Sequence, residues 1–330
     1  MRGTARLPAQ RAAPAARPGT ATGLGPPLAL VGPTAVGKSE AAVLLAEAIG
    51  AEVVSVDSTT VYRGMDVGTA KPPPPLRARV PHHLLDVADP EEAFTVARYQ
   101  RLARETVAAI RSRGRRALLV GGSGLYFRAV VDDLVFPPTD PATREALERR
   151  AEAVGPLRLY ERLRDLDPEA AAKIEPGNVR RTIRALEVLE VTGRPFSTFA
   201  RAWDRYPQGR VRAAGVTMPR ALLYRRIEER AWAQVRGGLL SEVRGLVERG
   251  LGRWLTASQA IGYAELARHL AGQLSLEEAV AATVRRTKAL ARRQLAWFRR
   301  DPRIRWFEAG EEGAPALVEE IRRYLLGAEG

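Results

Sequence analysis

The chain contains no cysteine, and its lysines stand only at 38, 71, 173 and 288. Without thiols there is no disulfide framework and no Cys-ligated zinc centre, which suits a reducing cytoplasm. No apolar run approaches the roughly 18 residues that span a bilayer, so no membrane partner is expected. Residues 1–26 hold no acidic side chain and no apolar centre of the roughly 7–15 residues found in secretory signals. Their Ala, Pro, Gly and Arg content predicts a disordered leader, with a weak nucleic-acid tether as its functional alternative.

What is present is size and positive charge. The chain has 330 residues, 45% of them hydrophobic, enough for one large domain or two smaller ones. The formal net charge of +14 is carried almost wholly by arginine. It points to a polyanionic partner, with a plain compositional bias as the alternative.

Gly32-Pro33-Thr34-Ala35-Val36-Gly37-Lys38-Ser39 organises the rest. It follows the apolar run 28–31, which reads as a buried strand, and precedes an Ala/Leu-rich helical pattern over 40–49. Strand, glycine loop, Lys-Ser and helix make a phosphate-binding P-loop. The glycines let the backbone approach a ligand, and loop amides and the helix start then face one anion. Lys38 adds a full charge, and the Ser39 hydroxyl can hold magnesium. The motif specifies a di- or triphosphate and leaves the reaction open.

The remaining pattern predicts an α/β fold: a P-loop NTPase-like parallel sheet flanked by helices, with an inserted all-helical lobe. Glu52–Val56 alternates like a strand and runs into Asp57-Ser58-Thr59-Thr60. Ligands sit at the carboxyl ends of parallel strands, so Asp57 belongs beside the P-loop as a proton acceptor or a magnesium organiser. Its plain alternative is a helix cap. His82 and His83 are adjacent and lack a third ligand, which argues against metal binding. The strand 116–120 opens into Gly121-Gly122-Ser123-Gly124, where many NTPases carry a magnesium-holding acid. That turn is a second place for close backbone approach, or simply a tight turn.

Residues 132–206 are polar and helical, broken at Pro137-Pro138, Gly155-Pro156, Pro176-Gly177 and Gly193-Arg194-Pro195. They form the inserted lobe, between 27–131 and 207–330, which together make the core with a helical C-terminal part. In the lobe, Arg180, Arg181 and Arg184 share a helix side, which is either a clamp for a phosphate backbone or a solvated face. Arg226 and Arg230 are neighbours on a helix returning toward the P-loop. On the helix 277–300, Arg285, Lys288, Arg292 and Arg299 form one stripe with Arg286, Arg293 and Arg300 beside it. One-signed charge of that density beside Trp297 fits a nucleic-acid backbone.

Taken together, GPTAVGKS at 32–39, DSTTVYRGMDVGTAKP at 57–72, PHHLLD at 81–86, GGSGLY at 121–126, RALE at 184–187, QAIGY at 259–263 and RRQLAWFR at 292–299 closely resemble the tRNA dimethylallyltransferases. The resemblance covers about residues 28–307. It implies transfer of the dimethylallyl group of dimethylallyl diphosphate to N6 of the adenosine just 3′ to the anticodon, in tRNAs reading codons that start with U. Diphosphate leaves, and Mg2+ is required. It implies Asp57, Ser39, Lys38 and Arg230 as catalytic residues, 32–39 as the diphosphate cradle and Ser39 as the metal contact. For the tRNA anticodon stem-loop it implies Asp57, Ser58, Thr59, Thr60, Ser123, Arg144, Arg180, Arg181, Thr182, Ile183, Arg184, Gln259, Ala260, Ile261, Gly262, Tyr263, Arg292, Arg293, Gln294, Trp297 and Arg299. Thr60 stands where relatives often carry Gln or Leu; Ser39 and Ser123 keep a hydroxyl where Thr is common. Absence of the Cys/His finger of eukaryotic relatives indicates the bacterial type, expected as a cytoplasmic monomer. Three rivals are a P-loop kinase or NTPase binding ATP, a transferase acting on free adenine nucleotides, and a tRNA-binding protein without catalysis.

Overall fold

Leu28–Val31 (β1) is apolar at every position and wholly buried. Such a run has no solvent face and belongs inside a sheet covered on both sides. The computed structural model describes residues 24–199, 203, 205–254 and 256–327. Most of the leader expected over 1–26 lies outside the described residues.

Along the chain, β1 is followed by α1 (Lys38–Ile49), β2 (Ala51–Ser55), α2 (Pro74–Arg79), β3 (His82–His83), α3 (Val96–Ser112), β4 (Arg116–Gly121) and α4 (Gly124–Val131). Four helices come next: α5 (Pro141–Val154), α6 (Pro156–Leu166), α7 (Pro168–Ala171) and α8 (Val179–Thr192). Then come β5 (Arg212–Thr217), α9 (Arg220–Gln234), α10 (Leu240–Glu248), α11 (Tyr263–Leu270), α12 (Leu276–Phe298), β6 (Ile304–Glu308) and α13 (Val318–Leu326). The strands form one parallel sheet in the order β3-β2-β4-β1-β5-β6. The P-loop therefore leaves the carboxyl end of a central strand, as in P-loop NTPase-like folds.

Alternate residues of β1 enter different cores, Ala29 and Val31 on one face and Leu28 and Leu30 on the other. The helices α5, α6 and α8 build a third core around Leu147, Leu159, Leu163, Ile183 and Leu186. The strands β1, β2 and β4 fall on the runs read above as strands. The two-residue edge β3 does not, because it is too short to show a pattern. Its histidines are engaged locally: His82 Nδ1 lies 2.8 Å from the Val80 carbonyl, and His83 Nε2 lies 2.7 Å from Glu52 Oε2.

A buried ion network ties the base of the lobe to the core. Arg303 reaches Asp132 at 2.7 Å and Asp301 at 2.7 Å, and Arg128 reaches Asp132 at 2.6 Å. Arg128 also donates to the carbonyls of Trp203 and Arg205, and Arg303 to that of Pro207. The Tyr206 ring lies 4.5 Å from the Arg128 guanidinium and 5.5 Å from that of Arg303. The chain leaving the core at Asp132 and the chain returning at Trp203 and 205–207 are thus held at one point.

Candidate active site

The P-loop is shaped by close backbone packing. Gly32 has φ 146°, and a Cβ there would come to 2.3 Å of the Val216 carbonyl oxygen on β5. Gly37, at φ 90°, caps α1 in the left-handed region without a side-chain cap bond. Only glycine adopts such a position freely, and the first amides of α1 stay open toward an anion.

Two helices deliver side chains onto this loop. From α9, Arg230 Nη2 donates to Thr34 Oγ1 at 2.6 Å, and Arg226 Nε donates to the Ala35 carbonyl at 3.0 Å. From α12, Gln294 Oε1 accepts from the Thr34 amide at 2.9 Å. Lys38 Nζ turns back to the Pro33 carbonyl at 2.5 Å. Asp57, just past the end of β2, accepts from the Thr59 amide at 2.8 Å and the Thr59 hydroxyl at 2.7 Å. Those bonds orient its carboxylate.

Charge in this corner is incompletely compensated. Burial first, and Arg230 second, push the Lys38 ammonium down to about 7, while Asp57 works the other way. Burial also lowers Arg230, again against the pull of Asp57. Both residues still face the cleft, yet their charged ends are crowded by protein atoms. Two cations with one nearby carboxylate, under open backbone amides, make a receptor for a multiply charged anion.

Two clefts meet here. The first is lined by Thr34, Lys38, Ser39, Asp57 and Arg230, with apolar cover from Val53, Leu76 and Leu85. The second runs past Ser58, Thr59, Gln259, Ile261 and Arg293. Thr34, Asp57, Thr69, Arg230 and Gln294 line both. Ligands seated in the two clefts would therefore meet at this shared wall, which includes Asp57. Thr69 and Leu85 lie within the stretches 57–72 and 81–86 that carry the resemblance, which gave them no lining role, and Leu76 lies outside every such stretch.

Other candidates occupy distinct settings. The second glycine turn is packed against protein: a Cβ on Gly121 would meet the Val56 carbonyl at 2.4 Å, and one on Gly124 would meet Trp297 at 1.9 Å. Ser123 Oγ caps α4 by accepting from the Tyr126 amide at 3.4 Å. Trp297 also makes an edge contact with Trp203, and Thr60 is buried with its hydroxyl 3.0 Å from that of Ser55. Thr182 and Ile183 are buried, so their side chains serve the lobe. Arg144 and Arg184 converge on fully buried Glu187 at 2.6 and 2.9 Å. Arg181 is exposed, and Arg180 reaches Gln259 at 2.5 Å, bridging the lobe to the 259–263 segment. Ala260, Gly262 and Tyr263 are buried, whereas Gln259 is exposed. On α12, Arg292 donates to the Tyr224 hydroxyl at 3.0 Å, Lys288 lies 3.6 Å from Glu228, and Arg286 pairs with Glu265. Arg293 and Arg299 are exposed.

The family profile described as IPP transferase matches residues 60–301. The tRNA dimethylallyltransferase of Streptomyces coelicolor is 51% identical over 284 residues, covering 86% of this chain and 90% of that protein. That of Desulforudis audaxviator is 49% identical over 292 residues, covering 88% and 94%. The crystal structure of the tRNA isopentenylpyrophosphate transferase of Bacillus halodurans aligns with a TM-score of 0.66 at 40% identity, covering 92% of this chain and 96% of that one. With the P-loop cradle, Asp57 and the double cleft in place, this chain belongs to the IPP transferase family.

Proposed function

We propose that the protein transfers the dimethylallyl group of dimethylallyl diphosphate to N6 of the adenosine 3′-adjacent to the anticodon, in tRNAs that read U-starting codons. The observation that carries this reading is the meeting of two clefts at Asp57, one of them floored by the P-loop. The donor's diphosphate sits on the loop amides, Lys38 and Arg230. As the allylic C–O bond breaks, those groups stabilise the charge that gathers on the leaving diphosphate. The N6–C bond forms at the same carbon, and the N6 proton passes to the Asp57 carboxylate. A stacked adenine cannot reach the cleft, so the base is flipped out of the anticodon loop.

The residues present also fit Mg2+. This ion keeps most of its waters and needs few protein ligands beside substrate phosphates. Ser39 lines the same cleft as Asp57, and its hydroxyl would hold the ion against the diphosphate. Bound there, magnesium supplies further neutralisation of the leaving group. The lobe and α12 would grip the anticodon stem-loop. The enzyme acts as a cytoplasmic monomer; among the described residues no helix is long and apolar enough to cross a membrane.

The test is incubation with labelled dimethylallyl diphosphate and Mg2+, offering tRNA or AMP as acceptor. Label is expected in tRNA only. Asp57→Asn lowers transfer by roughly 10²–10⁴-fold, the usual worth of a positioned general base, while tRNA binding persists. Label on AMP alone would overturn the tRNA assignment. Phosphate release from ATP without tRNA would support the kinase or NTPase reading.

A further inference from the structure

The loop between β2 and α2 is held from two sides. From inside the loop, Lys71 Nζ donates to the Tyr62 carbonyl and Asp66 Oδ1 and, beyond β3, to Asp86 Oδ1, each at 2.5 Å. From a distant part of the sequence, Glu242 on α10 reaches the same loop. Its Oε2 accepts from the amides of Asp66 and Val67, both at 2.8 Å. Its Oε1 accepts from the Gly68 amide at 3.1 Å and the Tyr263 hydroxyl at 2.7 Å. Gln234 adds donors to the carbonyls of Val67 and Gly68, at 2.6 and 3.1 Å. Tyr263 closes the clamp: a Cβ on Gly68 would come to 2.5 Å of its ring. The next residue, Thr69, lines both clefts, and Ala70 lines the first.

We propose that Glu242 is a positioning residue for the transfer reaction, holding the 66–68 backbone so that Thr69 and Ala70 form a fixed wall where the two clefts meet. Glu242 lines neither cleft and touches no reacting atom. It acts through the loop, by fixing the width of the gap across which donor carbon and acceptor nitrogen approach. Small misplacements of that kind cost rate more than affinity. A carboxylate is required because four donors converge on its two oxygens, two to each. A glutamine in its place would turn an NH2 group toward two of them. This inference rests on the proposed transfer function.

The experiment compares wild type, Glu242→Gln and Glu242→Asp in steady-state transfer to tRNA, with hydrogen exchange at residues 66–68. For Glu242→Gln, kcat at saturating donor and tRNA is expected to fall roughly tenfold or more, with tRNA affinity within about twofold of wild type. The 66–68 amides should exchange faster while β1 and β4 stay protected. Glu242→Asp keeps the charge and the acceptor count and should recover part of kcat. It also carries the test alone if the glutamine variant does not fold. Unchanged kcat in the variants overturns the inference, as does a loss that only matches the fraction of unfolded protein. A wild-type enzyme that modifies no tRNA would instead defeat the proposed function itself.

Discussion

The donor cleft and the base of the lobe each gather two cationic side chains, and they compensate them in opposite ways. At the lobe base, Arg128 and Arg303 face Asp132 and Asp301, with all four side chains at most 3% exposed. Burial works against the Arg303 charge, but Asp301 and Asp132 more than offset it and hold the group above the ordinary arginine range. In the cleft, Lys38 and Arg230 are both lowered, and Asp57 is the carboxylate that opposes the shift. A closed network is a tie between segments. An open one waits for a ligand that completes it.

Replacing one cation in each place by methionine breaks the comparison most sharply. Arg303→Met leaves two buried carboxylates with too few donors, and such a loss costs about 3–5 kcal/mol. Lys38→Met removes a charge that the fold already disfavours. The denaturation midpoint of the donor-free protein should fall steeply for Arg303→Met and stay level or rise for Lys38→Met. Equal losses in the two variants would erase the distinction.

That contrast was only half legible in the sequence. The P-loop announces itself because its parts are contiguous, from Gly32 to Ser39, and strand and helix flank them. Asp57 could be placed from the end of β2 alone. The lobe-base network joins the local pairs Arg128–Asp132 and Asp301–Arg303, and nothing local marks that the two pairs meet. For the same reason Glu242 could not be assigned to the 66–68 amides. Helical spacing grouped Arg180, Arg181 and Arg184 on one side of α8. It could not foresee that Arg144 from α5 would join Arg184 on the buried carboxylate of Glu187.

pH sharpens the comparison by a smaller amount. Without donor, Lys38 titrates at about 7, and a diphosphate beside it returns the ammonium toward its ordinary range. Binding then takes up a proton above pH 7. Donor affinity through Lys38 is full below about 7 and weakens by up to roughly tenfold per pH unit above it. In the free protein the sign is reversed. Folding lowers the lysine from roughly 10.4, so this residue's contribution to stability rises with pH from about 7 upward. Isothermal titration in two buffers of different ionisation enthalpy measures the proton uptake, and Lys38→Met should abolish it.

The smallest effect separates cations on α12 and at its C-terminal cap. Arg286 is paired with Glu265 and Lys288 with Glu228, so neither is wholly free to meet a phosphate. Arg293 and Arg299 are exposed, and among the described residues neither has a carboxylate partner. Each phosphate contact releases condensed counterions, which steepens the dependence of log affinity on log salt by about 0.7–0.9. Arg293→Ala and Arg299→Ala should each flatten the salt slope of tRNA binding by that amount and weaken binding alike across tRNA sequences. Lys288→Ala should change the slope by less, because its charge is already partly answered within the fold. If Lys288→Ala flattens the slope as much as Arg293→Ala, the Glu228 contact opens on binding. The stripe on α12 then works as one undivided electrostatic surface.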